Sequence, residues 1–165
     1  MAESSASRIA GPGKFLAGAR RWLSRRSNLA LKVHLLYIGK PRSREANVLI
    51  QEYAVRLGRY CRFEARQIKD ESAAAAYERA LRIVLDPAGE QISSRELAAL
   101  IEKAGRDVAF FVGGADGFSG AFRARADRLL SLSKMTLPHE LARVVLAEQI
   151  YRAFTILHNH PYPRE

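Results

Sequence analysis

One cysteine, Cys61, among 165 residues excludes an internal disulfide, so a reducing, cytoplasmic compartment is expected. Long apolar runs are also missing. None approaches the roughly 18 residues that a membrane span needs, and no membrane partner is expected. The four histidines, His34, His139, His158 and His160, share no helix-face spacing and have no cysteine pair to join, so no metal site is expected. No Gly-Lys-Ser/Thr is present to form a phosphate loop, and no G-x-S-x-G elbow for a serine hydrolase. Acidic residues are scarce: 17 Asp and Glu face 27 Lys and Arg, which leaves a net charge of +10. That balance favours a polyanionic partner, most simply nucleic acid.

The positive charge is unevenly placed. Residues 1–32 carry seven basic side chains against Glu3, a net of +6, which leaves +4 for the other 133 residues. Within this stretch Phe15, Ala19, Trp22, Leu23 and Ala30 recur at helical spacing beside arginines. The pattern suits an RNA-contacting arm, a membrane-surface helix or an organelle presequence; the plainer alternative is a solvated tail that the fold does not need. Residues 1–30 are therefore read as a basic, poorly ordered extension, and 31–165 as one domain of a length that fills a single core.

From residue 31 strands and helices alternate. Residues 31–38 form an apolar run ended by Gly39-Lys40-Pro41, a buried strand and its turn. Ser43 is placed to cap a helix that Gly58 stops. A second strand over 62–68 precedes a short Ala-rich helix around 71–79. A third strand over 81–86 is broken by Pro87-Ala88-Gly89. Ser93 or Ser94 caps a helix near 94–104, residues 107–112 make the most apolar strand, and 129–132 a brief fifth. The expected fold class is α/β: a single domain with a mostly parallel sheet covered by helices on both faces.

The last helix, from about His139 to Leu157, is apolar around nearly its whole circumference. A small domain is not expected to bury such a helix, so a second subunit is its natural cover, with a central core helix as the alternative. Glu148 and Arg152 stand four apart on it, as a surface ion pair or as a buried pair positioned for chemistry. The turn Gly113-Gly114-Ala115-Asp116-Gly117 lacks G-x-G-x-x-G spacing, yet it lets backbone approach a ligand closely. The chain then finishes on Asn159-His160-Pro161-Tyr162-Pro163-Arg164-Glu165, an unusual concentration of capable side chains for a terminus.

Three segments meet at the carboxyl ends of parallel strands, the usual ligand-binding edge: Leu85-Asp86, Val112-Gly113-Gly114 and the loop from Ser131 to His139. With Ala147-Glu148, Tyr151-Arg152 and the Asn159-His160-Pro161-Tyr162 tail, residues 31–165 resemble the small bacterial SPOUT-class 23S ribosomal RNA methyltransferases that modify N3 of a pseudouridine. The resemblance implies an α/β knot with a trefoil-threaded carboxyl-terminal segment, a homodimer, and large-subunit rRNA of the assembled ribosome as substrate. It also implies S-adenosylmethionine as cofactor, held by Leu85, Gly114, Leu132, Ser133, Lys134, Met135, Thr136, Leu137 and Pro138.

An imide N3–H is a weak acid that must lose its proton as it attacks, so a base or cation near that nitrogen and its carbonyls lowers the barrier. His139, Glu148, Arg152, Tyr162 and Arg164 are the candidates. His139 or Tyr162 is expected near the nucleobase, Arg152 and Arg164 on carbonyls or phosphate, and Glu148 orienting Arg152. For His139 the alternative is helix capping. Two departures from the family pattern stand out: Pro163 replaces a His, and the segment between Ile68 and Leu81 is short. They keep a second reading open, a non-catalytic ribosome- or RNA-binding protein on the same knotted fold; a third is a knotted methyltransferase of transfer RNA.

Overall fold

The computed structural model describes residues 30–162, so the basic extension and the tail residues Pro163, Arg164 and Glu165 lie outside the described residues. Five strands form one sheet: β1 (Lys32–Ile38), β2 (Arg62–Ile68), β3 (Leu81–Glu90), β4 (Val108–Val112) and β5 (Arg128–Leu130). Their order is β2-β1-β4-β3-β5, and every pairing is parallel. The central strand β4 reads as an unbroken apolar run because both its faces are covered. All five residues of β4 are buried, as are Val33, Leu35 and Leu36 of β1.

One face of the sheet packs against α1 (Arg44–Leu57), α2 (Ser94–Ala104) and α4 (His139–Leu157). The other face carries a 3-10 helix (Glu71–Tyr77) and the short α3 (Gly120–Ala124), with Ile68, Phe111 and Phe122 in its core. The helix starts follow side-chain chemistry. The Ser43 hydroxyl accepts the Ala46 N–H at 3.1 Å. Ser93 and Glu96 form a full capping box, each bonding the other's backbone N–H. Such caps stabilise a helix by about 1 kcal/mol each. Gly105, at φ +61°, ends α2 in the left-handed conformation that favours glycine.

Two expectations are corrected. The third strand does not stop at Pro87: β3 continues to Glu90, and an irregularity between Leu85 and Glu90 restores pairing through Glu90 opposite Leu130. Proline lacks the N–H that a regular ladder uses, so it is tolerated at such a bulge. The short Ala-rich helix expected around 71–79 is a 3-10 helix that ends at Tyr77, with the Asp70 side chain accepting the Ser72 N–H at its start. The last helix also proves to be a core helix over most of its length. Packed between α1, α2 and the sheet, it buries Leu146, Ile150, Ala153 and Phe154, and only Leu141 and Val145 leave large apolar surface exposed.

Candidate active site

At the carboxyl edge of the sheet, β3, β4 and β5 release three loops that enclose a cleft of about 760 Å³. Leu85 and Asp86 come from β3, Gly113 and Gly114 follow β4, and residues 131–138 follow β5. Every residue expected to hold a cofactor lines this cleft: Leu85, Gly114 and the whole run from Leu132 through Pro138. The loop braces itself, since the Ser131 hydroxyl donates to the Ser133 carbonyl at 2.9 Å and the Ser133 hydroxyl accepts the Met135 N–H at 3.0 Å. Met135 is 77% exposed at the loop tip, where its flexible thioether is free to close over a ligand.

The glycines of the turn do different things. A Cβ on Gly113 would lie 3.0 Å from the Gly117 Cα, so this glycine closes the turn on itself. A Cβ on Gly114 would meet only the Ile38 carbonyl oxygen, at 3.6 Å, an ordinary contact. Packing within the chain therefore does not require glycine at 114; its bare Cα enlarges the cleft.

Sequence reasoning missed a pair on the cleft wall. Arg123 reaches back from α3 to Asp86 at 3.0 Å, and the Asp86 carboxylate is only 10% exposed. Among the described residues Arg123 is the one arginine lining the cleft, and this pairing neutralises it. The signal was faint, because the partners are 37 residues apart. Lys134, the other strong cation of the lining, is exposed at the loop tip.

His139, the first residue of α4, also lines the cleft. It does not cap its helix: the N-cap is Pro138, and no side-chain capping bond is present. Glu140 beside it reaches across to the start of α1, where its carboxylate accepts the Ser43 N–H at 3.0 Å and also the Arg42 N–H. These backbone bonds hold the Glu140 carboxyl below its ordinary range.

The other candidates gather elsewhere. Arg152 donates to the Glu148 carboxylate from Nη2 at 2.7 Å and from Nε at 3.1 Å, with both side chains about four-fifths buried. Tyr162 packs edge-on against Tyr151 at 4.6 Å, and the Arg152 guanidinium lies 5.6 Å from the centre of its ring. Tyr53 and Tyr60, which sequence reasoning did not single out, complete an aromatic cluster around Tyr151, with Arg56 over the rings of Tyr53 and Tyr151. At 1.5 Å per helical residue, Glu148 lies about 14 Å and Arg152 about 20 Å along α4 from His139. Within one chain, then, the tail cluster and the cleft sit at opposite ends of one helix. Arg164 lies outside the described residues.

Burial, contact with Tyr53 and the Glu148 carboxylate push the Tyr162 phenol up to about 12, against the opposing effect of Arg152. It is therefore neutral at physiological pH and donates a hydrogen bond rather than accepting a proton. Between its unfolded value of 10.0 and about 12 the folded chain holds a proton that the unfolded chain releases. Stability should accordingly fall as pH rises through that window. In a spectrophotometric titration, Tyr162→Phe should match the wild type up to pH 10 and lose one phenolate step near pH 12. A step lost near pH 10 would contradict the burial.

Among the described residues no group of three or more His, Cys, Asp or Glu is arranged to hold a metal ion. Nor is any helix there long and apolar enough to cross a membrane.

Comparison with known proteins gives four results. The sequence model of the family described as "Predicted SPOUT methyltransferase" matches residues 31–163. A protein of Solibacter usitatus named ribosomal RNA large subunit methyltransferase H is 49% identical over 139 residues, covering 81% of this chain and 100% of its own. A Geobacter sulfurreducens protein of the same name is 42% identical over 151 residues, covering 80% and 99%. Among solved structures, a probable methylase family protein from Haemophilus influenzae superposes with a TM-score of 0.55 at 11% identity, over 83% of this chain and 71% of that one, a likeness of fold alone.

Proposed function

Because the chain belongs to the SPOUT methyltransferase family, we propose that it methylates N3 of a pseudouridine in large-subunit ribosomal RNA, in the cytoplasm, on the assembled ribosome. The observation that carries this reading is the carboxyl-edge cleft, where all the residues expected to hold S-adenosylmethionine converge. The cleft fits that cofactor. Leu85, Leu132, Leu137 and Pro138 offer apolar walls, Gly114 leaves room for close approach, and the Asp86–Arg123 pair removes a cation that would repel a sulfonium. When bound, the cofactor supplies an electrophilic methyl group that needs alignment more than activation.

The chain's own residues must then ready the nucleophile. His139 stands in the cleft and is placed to take the N3 proton. Tyr162, neutral at working pH, donates to a carbonyl of the base, and Arg152, held by Glu148, stabilises charge developing there. Arg164 joins them on carbonyl or phosphate. Because His139 and the Tyr162–Arg152 cluster lie at opposite ends of α4, one chain cannot bring them to one base. A twofold pair with its α4 helices antiparallel would set the tail of each copy at the cleft of the other. The exposed Leu141 and Val145 give that pairing an apolar seam beside the cleft. The working unit in this reading is a homodimer with two composite sites.

The test is transfer of label from S-adenosylmethionine to ribosomes of a strain lacking this gene, followed by nucleoside mass spectrometry. A 3-methylpseudouridine from 23S rRNA is expected. Label in transfer RNA would move the substrate class, cofactor binding without transfer would favour a non-catalytic binder, and neither binding nor transfer would end the proposal.

A further inference from the structure

The turn between β1 and α1, together with the first residue of α1, carries Lys40, Arg42 and Arg44 within five residues, all exposed. Two contacts fix this turn beside the cleft. At its start, the Ile38 carbonyl oxygen faces the bare Cα of Gly114, 3.6 Å from where a Cβ would stand. At its end, the Arg42 and Ser43 N–H groups bond the carboxylate of Glu140, the residue after His139. Glu140 is backed in turn by Arg143, whose Nη2 lies 3.4 Å away and whose guanidinium centre sits 4.3 Å from the centre of the Tyr37 ring, fully buried. The turn thus bridges the rim from Gly114 to His139, held at both ends by backbone, and its side chains are free to reach outward.

Arg56, Arg106, Arg123, Arg125, Arg128 and Arg152 each have a carboxylate within ion-pair distance. None of Lys40, Arg42 and Arg44 forms an ion pair with a described residue. Three like charges crowded together disfavour the folded state unless a partner of opposite sign takes them. The nucleotide whose base enters the cleft brings phosphates on both sides, and these must pass over the rim.

We propose that Lys40, Arg42 and Arg44 form the contact for the RNA backbone flanking the target nucleotide, a phosphate-binding rim that positions the strand without reading its sequence. This inference rests on the proposed rRNA substrate and adds where the strand lies.

The test compares K40Q/R42Q/R44Q with R66Q/R79Q/K103Q, which removes equal charge from exposed positions that belong neither to the cleft lining nor to the tail cluster. Affinity of the full chain for unmethylated ribosomes is measured across a salt series. Each lost phosphate contact lowers the slope of log affinity against log salt by about 0.7–0.9. The rim triple should lower it by about 2, the control by less than 1, with melting temperature and S-adenosylmethionine affinity unchanged in both. Arg42→Gln alone, whose backbone bond to Glu140 is retained, should lower it by just under 1 and serves if the triple folds poorly. An unchanged slope in the rim variants, or equal losses in both triples, overturns the rim. Wild-type protein that neither binds nor methylates ribosomes overturns the substrate reading and the rim with it; wild-type binding with an indifferent rim overturns the rim alone.

Discussion

Replacing Gly89 with alanine should remove the cofactor site and a large part of the protein's stability together. A Cβ at this position would lie 2.6 Å from the Leu130 carbonyl carbon and 2.7 Å from the Leu129 carbonyl carbon and the Leu130 nitrogen. All three atoms are backbone, so no side chain can swing aside. Either the far end of β3 peels away from β5 or β5 shifts. Both breaks remove the Glu90–Leu130 register and the bond from the Ser131 N–H to the Glu90 carbonyl, now 2.9 Å long. Overpacking of this kind costs about 1–3 kcal/mol, and a lost hydrogen bond adds about 1 kcal/mol. For a domain of this size that is a melting temperature lower by roughly 10 °C.

Because Leu130 and Ser131 lead directly into the cofactor loop, affinity for S-adenosylmethionine should fall by at least an order of magnitude in the molecules that still fold. Gly114→Ala separates the two effects. Its Cβ makes only an ordinary 3.6 Å contact, so the melting temperature should hold while cofactor affinity drops. Calorimetric titration and thermal melting of the two variants check both statements. A Gly89→Ala protein with unchanged melting and affinity would show that β3 and β5 can separate freely.

Gly89 also marks where the sequence could not be read. Beside Pro87 it signals an interruption, and local pattern carries no trace of a strand that resumes after a bulge to press on a segment 40 residues later. The same holds for Asp86 and Arg123, joined only by tertiary folding. Where local chemistry decides, the residues were legible. Ser43 and Ser93 cap as expected, β4 is the fully buried strand its Val-Ala-Phe-Phe-Val run describes, and α4 starts at His139 and ends at Leu157. The apolar girth of α4 is equally the mark of a core helix and of a helix covered by a second subunit; α1, α2 and the sheet cover most of it, and Leu141 and Val145 are left exposed. The cofactor loop could be placed at the sheet edge from the alternation of strands and helices, which implies a parallel sheet, but its residue roles come from the family likeness. The threaded knot that the family likeness implies would leave no periodicity at all, because a knot is a property of the whole path and of no segment.

His139→Ala and Arg152→Ala, each inactive alone, should restore one another when mixed. Each is expected to lower methyl transfer on the order of 100-fold, by removing the group that takes the proton or the cation that steadies the developing charge. The structure puts these residues about 20 Å apart on α4, near opposite ends of one helix. If each site joins the cleft of one copy to the tail of its partner, a dimer of the two variants holds one site with both defects and one with neither. When the two chains are co-expressed in equal amounts and assort freely, half the dimers are mixed and a quarter of all sites are whole, so activity should return to about 25% of wild type in a twofold assembly. If each site were built within a single chain, every site in every dimer would carry one defect, and activity would stay at the level of the parents. Arg152 is also paired to Glu148 and lies against Tyr162, so the Arg152→Ala chain must first be shown to melt as a folded protein. Arg152→Lys, which keeps the charge and loses the two-pronged grip on Glu148, serves as the milder partner. Recovery near one quarter with either variant places the base between two subunits. Recovery absent with both returns the tail cluster to a role within its own chain and removes the homodimer from the catalytic argument.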